Sequence, residues 1–145
     1  MALDKASRIM SGTFGEAWID GEQLAECYGL QAKMNANKEK VAQCGTMVQD
    51  HKIKSVEGRG SIRLYKASSR MIKLVGEKMK KGQDVRCTII SKLADPDAWG
   101  AERVVLKNVS FDDITLADSE ADTFGKTEHP FTFTDYELLD AVDPQ

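Results

Sequence analysis

Two stretches of this chain alternate polar and apolar side chains strictly, and together they dictate an extended hairpin. In the first, Leu30, Ala32, Met34 and Ala36 alternate with Gln31, Lys33, Asn35 and Asn37. In the second, Gly58, Gly60, Ile62 and Leu64 alternate with Arg59, Ser61, Arg63 and Tyr65. Successive side chains of a strand point to opposite faces, so period 2 marks a strand with one polar face rather than a helix. Between Lys38 and Glu57 the pattern weakens into a polar segment containing Gly45, which reads as a loose tip. The hairpin therefore spans about residues 30–65. Its polar face carries Lys33, Asn35, Asn37, Arg59, Ser61 and Arg63.

The remaining elements are short strands and one helix. Ala17 and Ile19 of the segment 16–20 can point inward from a strand, and Asp20-Gly21 supplies a turn. Ser68 or Ser69 is placed to cap a helix over about residues 69–81, with Met71, Ile72, Leu74, Val75 and Met79 on one apolar stripe. Lys78, Lys80 and Lys81 complement the negative end of its dipole, and Gly82 follows as the terminating residue. Val85, Cys87, Ile89 and Leu93 alternate as a further strand, and Asp95-Pro96-Asp97 with Gly100 forms a turn. Residues 102–111 are β-branched without a clean register, Ile114 and Leu116 alternate, and Phe131 and Phe133 face away from Thr132 and Thr134 in a last strand. About seven strands and one helix, with no βαβ alternation, predict a mainly β single domain over residues 1–145. Its expected form is a β-sandwich or barrel with one flanking helix.

Charge divides along the sequence. Residues 31–82 hold thirteen bases and four acids, whereas residues 109–145 hold one base and ten acids. Such asymmetry points either to a partner or to two halves that face each other within one fold. Part of the basic excess has a local use at the helix end. The three cysteines, Cys27, Cys44 and Cys87, are widely spaced, which argues for reduced thiols rather than a disulfide framework. No apolar run is long enough to cross a bilayer as a helix, and the N-terminus lacks the apolar stretch of a secretory signal, so folding in a cytosol is expected.

Chemical motifs are sparse. Asp95, Asp97 and Gly100 match three positions of a calcium loop, but Leu106 stands where the bidentate Glu belongs, so the segment reads as a turn. Cys27, Cys44, His51 and Cys87 lack the paired spacing of a zinc site, and His129 before Pro130 reads as a surface histidine. Asp112, Asp113, Asp118, Glu120 and Asp122 form an acidic cluster without an evident pocket, which reads as a solvated edge rather than a catalytic acid pair. No cofactor or metal is expected, and the chain reads as a non-enzyme. Basic charge keeps a nucleic-acid-binding small β-barrel as the alternative, although the aromatic interleaving of single-strand binders is absent. Trp18 and Trp99 are too few for a stacking platform.

A hairpin this long leaves exposed ladder edges and a partly apolar flank, and closing such edges into a ring removes the liability. That favours an assembly protein. The segments MSGTFGEAWIDGEQLAE, GRGSIRLYKASSRM, ADPDAWGAERVVLKNVSFDDITLAD and HPFTFTDYELLD resemble the tail tube proteins of contractile-tailed bacteriophages, most closely tube subunits of PBSX-type prophages and of the R-type bacteriocins called diffocins. The likeness spans about residues 9–140. It implies stacked hexameric rings around a hollow lumen, inside a contractile sheath, in a virion tail or bacteriocin particle assembled in the host cytoplasm. The partners it implies are the chain itself, sheath protein, tape measure protein, a baseplate hub or tube initiator, and DNA passing through the lumen without specific binding. The six polar hairpin residues are expected to face the lumen or a ring neighbour. The five acids are expected at a stacking or sheath contact.

Overall fold

The computed structural model describes residues 6–144; the two ends of the predicted domain, 1–5 and 145, lie outside the described residues. Among the described residues eight antiparallel strands form one sheet. They are β1 (Gly15–Ile19), β2 (Glu22–Gln23), β3 (Cys27–Val41), β4 (Asp50–Tyr65), β5 (Cys87–Leu93), β6 (Glu102–Phe111), β7 (Lys126–Phe133) and β8 (Asp135–Asp140). The spatial order is β2-β1-β5-β6-β7-β4-β3, with β8 added beside β6. The mainly β architecture expected from the sequence is the architecture observed.

β6 makes one sheet into two layers. Its first half pairs with β5 on one side and with β8 on the other, while Ser110 and Phe111 at its end pair with Thr132 and Phe131 of β7. The change of partner from β8 to β7 occurs at Asn108, whose φ of 58° is left-handed, while β5 stays paired as far as Val109. Asn tolerates that conformation better than most residues because its short polar side chain can hydrogen-bond locally. Here the Asn108 amide donates to Thr134 Oγ1 at 3.0 Å, and the Thr134 N–H donates to the Lys107 carbonyl at 3.3 Å. This local turn explains why residues 102–111 carry no clean alternation. It also explains a correction: the last stretch is not one strand, because the chain leaves β7 at Thr134 and re-enters the other layer as β8.

Between the layers lies a core of Ala17, Ile19, Leu24, Ile62, Leu64, Met71, Val75, Cys87, Ile89, Leu106, Val109, Phe111, Phe131 and Phe133. Phe131 packs edge-on against Phe111, with ring centroids 6.0 Å apart. The rings of Phe131 and Phe133 lie across Gly60 and Gly58, their register partners in β4. A Cβ on Gly60 would stand 2.7 Å from Phe131 Cζ and run into the Gln31 carbonyl oxygen. The glycines in the basic strand are thus there to let large rings approach the backbone.

The helix occupies residues 70–80, as a π-helical turn Ile72–Gly76 followed by an α-helical turn, α1 (Glu77–Lys80). Ser68 Oγ accepts from the Arg70 N–H at 3.4 Å, Met71 and Val75 are buried, and Gly82 (φ 73°) ends it. Asp20 and Gly21, with φ of 48° and 86°, make the expected tight turn between β1 and β2. Two further expectations are corrected. Ile114 and Leu116 are not in a strand but in the irregular segment 112–125, with Leu116 turned to solvent. The hairpin tip is confined to residues 42–49, because regular pairing continues from Asn37↔Ser55 to Val41↔Asp50 through a register shift between Asn37 and Lys38. An extra residue at that shift breaks the period-2 pattern without ending the strands.

Replacing Asn108 by Val should lower stability by about 1–2 kcal/mol through left-handed strain in a β-branched residue. Asn108→Gly should lose less, although it too loses the bond to Thr134. Urea unfolding of the three proteins measures the order; equal loss in both variants would assign the effect to the hydrogen bond instead.

Candidate assembly interface

β3 and β4 pair along their whole length, but the body of the protein supports only the lower half. β7 pairs with β4 from Gly58 to Tyr65; from 50 to 57 β4 has β3 alone beside it, and no strand among the described residues pairs with the outer edge of β3 above its base. Residues 34–41 and 50–57 therefore form a two-stranded arm. An isolated two-stranded ribbon is marginal in water, because its ladder edges and its flanks are both unburied. On this arm Ile53 and Val56 are 55% and 59% exposed, and Met34 at its base is exposed as well.

Register places all six polar residues predicted from alternation on a single face. Lys33 stands opposite Arg59, Gln31 opposite Ser61, Asn35 opposite Glu57, Asn37 opposite Ser55, and Gly29 opposite Arg63. Lys33 and Arg59 are like charges directly across from each other, an unfavourable cross-strand pair. Glu57 offsets it: Arg59 Nε donates to Glu57 Oε1 at 2.9 Å, and that bond raises the Arg59 pKa. Asn37 Nδ2 donates to Ser55 Oγ at 3.1 Å. The alternation did not reveal a second cluster at the base of this face. There the rings of Tyr28 and Tyr65 stack at 4.7 Å, Lys126 Nζ sits 5.6 and 5.8 Å from them, and the Arg63 guanidinium lies 5.8 Å from Tyr28. Tyr65 was legible as the next polar-face position. Tyr28 was not, because a register shift between Cys27 and Gly29 takes it out of phase.

The acidic residues lie apart from the arm. Asp112 is close enough for its charge to act on Arg59, and Asp113 acts on His129, whereas Asp118, Glu120 and Asp122 are exposed and form no ion pair with the described residues. The segment that carries these three is tied down at both ends. Thr115 lies with Met71 and Ile72 around a cavity of ≈ 20 Å³, and the Gly125 carbonyl accepts from the Lys66 N–H at 2.8 Å.

The remaining candidate residues have structural positions. Asp95 is buried in its turn, where its carboxylate accepts from the Asp97 and Ser11 N–H groups at 2.9 Å each. Cys44 is exposed at the tip, Cys27 is half-buried in β3, and Cys87 is in the core, where burial pushes its pKa up to about 12. No group of three metal-ligating side chains occurs among the described residues. His129 is not on the surface: it is 2% exposed, with Nε2 2.9 Å from Thr127 Oγ1. The Thr127 hydroxyl also lies 3.5 Å from the Leu64 carbonyl, and His129 Nδ1 is buried without a partner among the described residues. Burial lowers the His129 pKa; Asp113 opposes the shift and Lys66 adds to it. No helix among the described residues is long and apolar enough to cross a membrane.

This two-layer β fold with one flanking helix occurs in solved contractile injection systems. The solved sheath-tube complex of an extracellular contractile injection system, PVC, contains a chain with this fold: TM-score 0.73 at 7% identity, covering 94% of this chain and 95% of that one. A solved protein from Bacillus subtilis is 32% identical, with a TM-score of 0.54 over 94% of this chain and all of that one. The family model described as phage tail tube protein matches residues 3–140, and the chain belongs to that family. Among its relatives, the phage-like element PBSX protein XkdM of Bacillus subtilis (strain 168) is 34% identical over 140 residues, 95% of each chain.

His129 gives the fold a pH dependence of definite sign. Its proton affinity is lower folded than unfolded, so stability is full above about pH 6.5 and falls as pH drops below that value toward the folded pKa. Urea midpoints at pH 7.5 and 5 should drop for the wild-type protein and drop less for His129→Gln. Parallel pH profiles would show that His129 is not responsible.

Proposed function

We propose that this chain is the subunit of the inner tube of a contractile injection particle, a phage tail or an R-type bacteriocin. It forms hexameric rings that stack around a hollow lumen. The observation that carries this reading is the arm: residues 34–41 and 50–57 satisfy neither their outer backbone groups nor their apolar flank within one copy. Identical copies around an axis supply the missing backbone partners, because a closed ring has no edge, and neighbouring copies cover the flank.

The two faces of the hairpin have different surroundings, and this orients it. The face bearing Ile62 and Leu64 continues into the core, so the apolar flank turns toward protein bodies. The opposite face, with Lys33, Asn35, Asn37, Arg59, Ser61 and Arg63, is left for the water-filled lumen. Tyr28, Tyr65 and Lys126 belong to that same lining. Since bases outnumber acids on it, anything passing through would meet donors interrupted by Glu57 and Glu128 rather than a uniform basic wall, and DNA in transit would not be gripped at every step. The outer surface meets a sheath, and the column ends meet a terminating cap and a baseplate. This agrees with the assemblies in which chains of this fold are found: the PVC sheath-tube complex and the cap and baseplate of the anti-feeding prophage. A tape measure protein inside the lumen and assembly in the host cytoplasm complete the proposal, in which the chain has no catalytic task.

Shortening the arm tests the reading. Replacing residues 39–52 by a two-residue Asn-Gly turn keeps Lys38 opposite Ile53 and removes the outer arm and tip. Electron microscopy of the full-length protein at high concentration should show rings or tubes with sixfold symmetry. The shortened protein should keep its β circular dichroism and remain monomeric. A full-length protein that stays monomeric at every concentration, or a shortened one that assembles equally well, overturns the proposal.

A further inference from the structure

The arm and the acidic segment lie at opposite ends of β4. Tyr65 pairs with Lys126, directly after the acidic segment, and the Lys66 N–H is bonded to Gly125. Lys52 and Lys54 are thirteen and eleven residues up the same strand. At about 3.3 Å per residue that is roughly 36–43 Å, several times the screening length of about 8 Å at physiological salt. No intramolecular attraction links these charges. The arm carries Lys38, Lys40, Lys52 and Lys54, all exposed and none in an ion pair with the described residues, against Glu39 and Asp50, while its third acid, Glu57, is held by Arg59. The far end carries Asp118, Glu120 and Asp122, equally unpaired, with no base between Asp112 and Gly125.

Both ends also expose apolar side chains where a monomer gains nothing from them. The arm presents Ile53 and Val56; the acidic segment presents Leu116 and Phe124, 68% and 84% exposed. Each end thus has an excess of one sign beside unburied hydrocarbon, small and basic on the arm and acidic on the segment.

We propose that the arm of one copy docks onto segment 115–125 of the copy stacked above it. Lys38, Lys40, Lys52 and Lys54 meet Asp118, Glu120 and Asp122, and Ile53 and Val56 pack against Leu116 and Phe124. This deepens the tube reading and rests on it: it names the axial partner surface of the same arm. A contact between opposite ends of identical molecules is heterologous and does not close on itself, so it propagates as an open stack. Apolar burial supplies most of the affinity, and charge sets direction and association rate. The contact uses the arm lysines and not Lys78, Lys80 and Lys81 at the helix end.

Reciprocal charge reversal tests the assignment. The arm variant Lys38→Glu/Lys40→Glu/Lys52→Glu/Lys54→Glu and the loop variant Asp118→Lys/Glu120→Lys/Asp122→Lys should each raise the concentration needed for tubes by about tenfold or more, as a few reversed surface pairs would. Combining the seven reversals should restore assembly to within a few-fold of wild type. Lys78→Glu/Lys80→Glu/Lys81→Glu should leave the axial step unchanged, and Phe124→Ala should weaken it without altering its salt dependence. Assembly followed by light scattering should slow with added salt for wild type. Circular dichroism establishes that each variant is folded. Wild-type tubes with an arm variant that assembles normally, or rescue of the loop variant by the helix reversal instead, overturn this contact and leave the tube reading standing. A wild-type protein that forms neither rings nor tubes overturns both.

Discussion

A β-ladder has to end somewhere, and this protein places that end on a projecting arm that its own body does not cover. The backbone N–H and C=O groups along the outer edge of β3 and the upper free edge of β4 have no strand beside them among the described residues. Water satisfies these groups in the monomer, but water cannot cover Ile53 and Val56 without the usual cost of exposed hydrocarbon. In the proposed tube, other copies cover this surface. The rest of the molecule can be understood as the support for it. β7 clamps the lower half of β4, Phe131 and Phe133 lie across Gly60 and Gly58, and Asn108 divides the sheet so that the arm leaves from one layer only.

The features legible in the sequence were those with a strict period. Lys33, Asn35, Asn37, Arg59, Ser61 and Arg63 share a face because nothing interrupts the alternation between Gly29 and Asn37 or between Ser55 and Tyr65. The helix was legible for the same reason, although its π turn was not. What the sequence hid lies at breaks in phase. The shift at Asn37/Lys38 disguised the outer arm as loop, the one at Cys27/Gly29 concealed Tyr28, and Asn108 with Thr134 made two strands look like one. Ile114 and Leu116 show the converse failure: two alternating β-branched and aliphatic residues suffice to suggest a strand, but the bonding partners that make one are set by the fold. His129 was misread because a histidine beside a proline carries no signal of burial. Its place is fixed by pairing with Ile62 and by the edge-on contact with Phe111 at 6.4 Å.

The segregated charge of the sequence acquires meaning only once β4 is seen as a ruler. In one dimension the basic middle and the acidic end could neutralise each other within a monomer. In three dimensions the ion pairs among the described residues join Arg59 with Glu57, Arg70 with Glu22 and Glu26, Arg86 with Asp84, Arg103 with Asp140, and Lys107 with Glu137. These consume part of each sign and leave the arm lysines and the outer acids unpaired at opposite ends. Surface pairs of this kind contribute little to stability. The unpaired residues have a different potential use, because attraction between copies affects rate and orientation more than strength.

An exposed ladder edge would pair with any other edge it met, and natural sheets commonly blunt that hazard with lysine. The arm lysines suit this role, since Lys38, Lys40, Lys52 and Lys54 outnumber Glu39 and Asp50 along the exposed edges. In the proposed stack the same lysines face acids instead. Loop-to-loop contacts are repulsive and arm-to-loop contacts are attractive, so in the proposed stack the charge pattern favours one polar order. A column built this way needs no separate device to keep every subunit pointing in the same direction.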